Sequence, residues 1–171
     1  MRQPFWYRLD HLARQLFPFA LTLALLLASV VPLPLPAYAS VTPSFMVMAV
    51  YFWTLYRPDL LPPAAVFAIG LLQDLLTGGI LGINVIVLLA LSAATGSQRR
   101  FLGVALFVTV WAGFVVNSAG AAILAWSLNT VAAGAMFDPR PALFQYLLTV
   151  GLYPSLGWIL VRAQRSILRP A

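Results

Sequence analysis

Four polar side chains stand inside otherwise apolar stretches of this chain: Asp74, Asn84, Asn117 and Ser118. Asp74 is the most informative, because an ionisable group within an apolar segment is costly unless it is partnered, protonated or close to an interface. Counted from the nearest turns, the four share a similar depth and can meet in one hydrogen-bonded cluster. Three readings of such a cluster are open: polar contacts that hold helices together, a binding place for a solute or ion, and a face offered to a partner protein. Enzyme chemistry has little to work with. His11 is the sole histidine and lies outside the apolar runs, and with no cysteine in the chain a metal site would lack ligands. There is no close pair of carboxylates, no glycine-rich phosphate loop, and no serine with a histidine partner in its own segment. Asp59, between Pro58 and Leu60, reads as a cap or loop residue beside Arg57, and Asp138, Pro139 and Arg140 read as an exposed turn. No catalytic residue, metal or cofactor is expected.

The elements that must position these residues are membrane helices. The sequence is 62% hydrophobic and 8% charged over 171 residues, with a mean hydropathy of +0.93, far outside the soluble globular range. All 10 basic residues are arginine and all 4 acidic ones aspartate, too few to cover a water-facing surface. The basic pI of 10.5 is no sign of nucleic-acid binding, because the arginines sit at helix ends and form no water-facing patch.

Apolar runs extend over about 16–33, 41–56, 62–79, 80–95, 102–130 and 141–161, punctuated by proline, glycine or arginine. The expected fold class is therefore an all-α polytopic membrane protein with six transmembrane helices. The third and fourth are short, since 16 residues span only about 24 Å against a hydrocarbon core of about 30 Å. Residues 1–15 form an amphipathic cytoplasmic lead-in, 16–163 one membrane domain, and 164–171 a short basic cytoplasmic tail. Ala37, Tyr38 and Ala39 imitate a signal-cleavage site, but the apolar run before them is long, so retention is expected. With both termini cytoplasmic, Arg2, Arg8, Arg14, Arg57, Arg99, Arg100, Arg162, Arg165 and Arg169 lie inside and Arg140 alone lies outside. Tyr51, Trp53, Tyr56 and Trp158 then mark the inner interface and Trp126 the outer one. Gly78, Gly79 and Gly82 permit a tight turn, while Gly113, Gly120 and Ala121 offer a small-residue contact face on the fifth span.

The stretch Tyr51-Phe52-Trp53-Thr54-Leu55-Tyr56-Arg57-Pro58, followed by Phe67 to Gly82 with Gly70, Leu71, Leu72, Asp74, Leu75, Gly78 and Gly82 in register, resembles the MreD family of rod shape-determining proteins. The specific part covers Tyr51 to Asn84, and size and basic ends match across nearly the whole chain. The resemblance implies a non-enzymatic inner-membrane subunit of the bacterial rod, or elongation, complex, supporting cell-wall elongation chiefly through contact with MreC. RodA-PBP2, RodZ and MreB are implied as members of the same complex, and membrane lipid as the surroundings. It also implies a fold similar to the substrate-binding subunits of energy-coupling-factor transporters, which keeps solute binding as the alternative function. Gly70, Asp74, Gly78, Gly79, Gly82, Asn84, Asn117 and Ser118 are the expected structural or partner-contact residues.

Overall fold

The computed structural model describes residues 21–27, 42–102 and 106–167, and every regular element in them is helical. Residues 21–27 form α1. The others are α2 (Phe45–Tyr56), a single 3-10 turn (Pro58–Leu60), α3 (Pro63–Thr77), α4 (Ile83–Leu102), α5 (Phe107–Ala133) and α6 (Arg140–Ile167). The expected lead-in, most of the first apolar run and residues 168–171 lie outside the described residues, while 164–167 continue α6. Local chemistry sets the boundaries. Pro63 occupies a first-turn position, where its missing N–H costs nothing, and Gly78 ends α3 with φ 65°, the left-handed cap that lacks a Cβ penalty. Arg99 and Arg100 fall in the last turn of α4, where cations complement the helix dipole.

Short connections make α3, α4, α5 and α6 sequential neighbours, and α2 packs against α4, α5 and α6. α2 is the centre of the molecule. Every residue from Met46 to Leu55 is buried, as expected of a helix that is apolar on all sides. The Tyr51 ring meets Phe114 and Tyr153 edge-on at 5.2 and 5.8 Å, and Phe114 stacks on Tyr153 at 4.0 Å, so one aromatic cluster ties α2, α5 and α6 together. The Tyr51 hydroxyl donates to the Val110 carbonyl at 2.9 Å. α5 contributes Val110, Phe114, Asn117, Ser118 and Ala121, a single stripe at helical spacing. α6 is fastened to the start of α2 by two hydrogen bonds, Gln145 Nε2 to the Thr42 carbonyl and the Ser44 N–H to Thr149 Oγ1, both 2.9 Å.

Two expectations are corrected here. Tyr51 and Trp53 are fully buried core residues and not an interfacial belt, whereas Trp158 is 63% exposed and carries the Arg162 guanidinium 5.3 Å above its ring. The set of six transmembrane helices is also overturned. Among the described residues two helices are long and apolar enough to cross a membrane, Phe107–Ala133 and Arg140–Arg162. α2, with 12 residues, and α3, with 15, reach only about 18 and 22 Å. α4 has 20 residues, but its final turns contain Thr95, Ser97, Gln98, Arg99 and Arg100, which shorten its apolar part. The helices were expected to end where the arginines begin, and α4 instead runs through them.

At Gly70 the backbones of α3 and α4 come close together. A Cβ placed there would lie 2.7 Å from Val85 Cα and 3.0 Å from its backbone nitrogen, so backbone and not a yielding side chain stands in the way. Gly70→Ala is expected to lower stability by about 1–3 kcal/mol through overpacking. Gly120→Ala, where a Cβ would meet nothing within 4 Å, is expected to be neutral or slightly stabilising. Thermal unfolding of both variants in detergent micelles checks the contrast.

Candidate functional site

The turn between α3 and α4 is built around one carboxylate. Asp74 is 1% exposed, and it accepts three hydrogen bonds from the other side of the turn. The Gly82 N–H donates to Oδ2 at 2.8 Å, while the Asn84 N–H and Nδ2 donate to Oδ1 at 3.2 and 2.9 Å. Gly82 directly precedes α4 and Asn84 lies in its first turn, so these backbone donors are ones the helix itself leaves unsatisfied. Asp74 is thus a cap supplied from the preceding helix, and its negative charge faces the positive end of the α4 dipole. The turn can fold back this sharply because Gly78 and Gly82 adopt φ of 65° and 96°, where other residues would be strained. Gly79 lies between them, its nearest neighbour being Thr77 Oγ1, 3.7 Å from where a Cβ would stand. Gly70, two turns before the end of α3, lets the two helices close.

Asn117 and Ser118 do not join this group. Asn117 Nδ2 donates to Gln98 Oε1 at 3.0 Å and to the Gly113 carbonyl at 2.8 Å, while Ser118 Oγ turns back to the Phe114 carbonyl at 2.6 Å. The structure therefore divides the four polar residues into a clamp at the turn, Asp74 with Asn84, and an α4–α5 contact near the other end of α4, Asn117 with Gln98. Ser118 lines a space between them. Gly120 is exposed and gives no close helix contact, unlike the buried Ala121 beside it.

That space is a cavity of about 400 Å³ among α2, α3, α4, α5 and α6, on the side of the α3–α4 and α5–α6 turns. Gln73, Asn84, Ser118, Asn129, Gln145 and Tyr146 supply polar groups to its wall, and the Gln73 Oε1 is buried without a hydrogen-bond partner. Of these, sequence reasoning singled out Asn84 and Ser118. Gln73, Asn129, Gln145 and Tyr146 were missed, although each lies within a few turns of the same end of its helix. Arg57, Arg99, Arg100 and Arg162 all lie at the opposite end of the bundle. Asp59 belongs to the 3-10 turn, and Asp138 lies in the exposed α5–α6 connection, where it accepts the Arg140 N–H at 3.0 Å. No group of three metal-ligating side chains occurs among the described residues, and His11 lies outside them.

Removing the Asp74 carboxylate leaves two backbone N–H groups at the start of α4 without their partner. Asp74→Ala is expected to lower stability by about 2–4 kcal/mol, and Asp74→Asn by less because one acceptor oxygen remains. Asn84→Ala, which keeps the backbone donor, should cost about 1 kcal/mol, and the double variant should fall short of additivity because the two share one bond. Unfolding midpoints of the three variants and their combination decide this.

Comparison with known proteins matches residues 11–160 to one family, described as MreD, rod shape-determining protein MreD. No match was found among curated proteins or among solved structures. The expected likeness to the substrate-binding fold of energy-coupling-factor transporters accordingly has no support, nor has the solute-binding alternative. The match covers the central helix, the clamped turn and both membrane-length helices, which makes the chain a member of the MreD family: a non-enzymatic inner-membrane protein of the machinery that sets rod shape and elongates the cell wall.

Proposed function

We propose that the chain acts as a membrane subunit of the elongation complex by presenting the α3–α4 turn to MreC. The observation that carries the reading is the family match over 11–160. The structure adds the form of a contact surface. Leu75 and Leu81 are 61% and 62% exposed, and Leu76 and Ile80 are exposed beside them. These apolar side chains project from a turn whose backbone is held by Asp74, so a partner would meet a preformed surface and pay little ordering entropy. An assembly subunit needs an apolar patch that is covered only when its partner is present. RodA-PBP2, RodZ and MreB belong to the same proposal as further members of the complex, reached directly or through MreC.

The arginine pattern supports an orientation in which the end holding Arg57, Arg99, Arg100 and Arg162 faces the cytoplasm. The α3–α4 turn then faces the periplasm, where the bulk of a bitopic MreC is found. Gly70, Asp74, Gly78, Gly79, Gly82 and Asn84 shape this surface from beneath, while Asn117 and Ser118 serve helix packing further down.

Because the chain has no cysteine, sidedness is open to single substitutions. In spheroplasts, Gly79→Cys should react with an impermeant maleimide, and Arg100→Cys only after permeabilisation; the reverse pattern would invert the orientation. For the interface, a photo-crosslinking residue in place of Leu81 should capture MreC in native membranes, and one in place of Ile159 should not. Leu75→Asp with Leu81→Asp should abolish co-purification of MreC at unchanged thermal stability. A complex that survives this double change, with no crosslink from position 81, would remove the turn from the interface.

A further inference from the structure

The polar cavity has an apolar neighbour. A second, apolar hollow of about 250 Å³ lies between α5 and α6, lined by Ile123, Pro139 and Leu143 among others. Ala122, Trp126, Ala142 and Tyr146 line both spaces, so the two adjoin across a common wall whose narrowest side chains are the alanines. The α5–α6 pair thus has a polar chamber behind it and an apolar channel in front.

The hydrogen-bonding character of the chamber follows from its amides. Asn84, Asn129 and Gln145 each use one N–H of the side-chain NH₂ on an acceptor: the Asp74 carboxylate, the Ala125 carbonyl and the Thr42 carbonyl. Each amide keeps its oxygen as an acceptor and a second N–H as a donor. Gln73 adds a buried carbonyl oxygen with no partner, a group that costs free energy unless something donates to it. The chamber therefore presents amide acceptors and amide donors together, a pattern that a hydroxyl group, itself donor and acceptor, can meet in both senses. Among its lining residues there is no cationic side chain to meet a phosphate, and the one carboxylate, Asp138, lies at the exposed rim, leaving no buried counter-charge for an ammonium group. Its volume falls in the range of small-molecule sites, which begins at about 300 Å³.

We infer that the cavity and the groove together form a binding site for an amphiphile with an uncharged, hydroxyl-rich head group. The hydroxyls donate to Gln73, Asn84, Asn129 and Gln145, and one hydrocarbon chain leaves between α5 and α6 along Ala122 and Ala142. No transport step is involved. The occupant is a glycolipid-type molecule drawn laterally from the bilayer.

The test uses the full-length protein in tetraethylene glycol monooctyl ether micelles, with bound lipid read by native mass spectrometry. The probes are monoglucosyl dioleoylglycerol, dioleoylphosphatidylglycerol and methyl glucoside. The glucosyl lipid should be retained at least tenfold more strongly than the phosphatidylglycerol. Asn129→Leu, which replaces one amide by an apolar side chain of good helix propensity, should weaken it about fivefold. Ala122→Phe should block the chain path and cut retention by a similar factor or more, and methyl glucoside in large excess should not displace the lipid. Equal retention of both lipids, or no change in Asn129→Leu, would overturn the site. Tight binding of methyl glucoside alone would overturn the part played by the groove. If Ala122→Phe fails to fold by thermal unfolding, the Asn129→Leu and methyl glucoside results still decide.

Discussion

The α3–α4 hairpin depends on a carboxylate that has been taken out of water and given three N–H donors in return. Asp74 has almost no solvent contact, so its charge is tolerated only because Gly82 and Asn84 surround it with donors. The dependence is mutual. Those backbone donors have no partner within α4, and without Asp74 the helix would begin in a poorly hydrated place with its amides bare. One interaction therefore satisfies two groups that are each unfavourable alone, and it does so across a turn short enough to need glycine at Gly78 and Gly82. The conjunction of Gly70, Asp74, Gly78 and Gly82 is a single device for folding one helix back onto the next.

The rest of the bundle is arranged around α2. Its Tyr51 reaches α5 through both its ring and its hydroxyl, and Tyr153 brings α6 into the same cluster. α4 fills the side between α2 and the α3 hairpin partner, so the clamped turn is connected to the aromatic core by one rigid helix. At the arginine-poor end the helices separate enough to leave the polar chamber. Packing is thus dense where aromatic rings meet and loose where amides meet.

Much of the hairpin was legible in the sequence because each of its residues is unusual where it stands. An aspartate in an apolar run must have partners, and three glycines within five positions must be a turn. Gly70 drew attention through the family resemblance, and its reason, contact with the Val85 backbone, emerges only with coordinates. The polar cluster was misjudged because depth was counted from residue 102, whereas α5 begins at Phe107 and is 27 residues long. That offset of more than one turn moves Asn117 away from Asn84 and toward Gln98, a residue expected to lie beyond the end of its helix. The number of spans was overestimated for a related reason: apolar composition marks what is hidden from water, and α2 is hidden by protein. Aromatic residues mislead in the same way, since Trp53 buried in a core and Trp158 at a surface look alike in sequence.

The burial of α2 bears on how such a chain is made. A helix of 12 residues, about 18 Å long, is too short to settle stably across a bilayer by itself. Among the described residues it packs chiefly against α4, α5 and α6, all synthesised after it. The contacts with α4, α5 and α6 that bury Phe45–Tyr56 therefore become available only as the C-terminal half is made. Burial of α2 among the described helices is consequently completed from the C-terminal side of the chain, once α5 and α6, the two described helices long and apolar enough to cross a membrane, have been made.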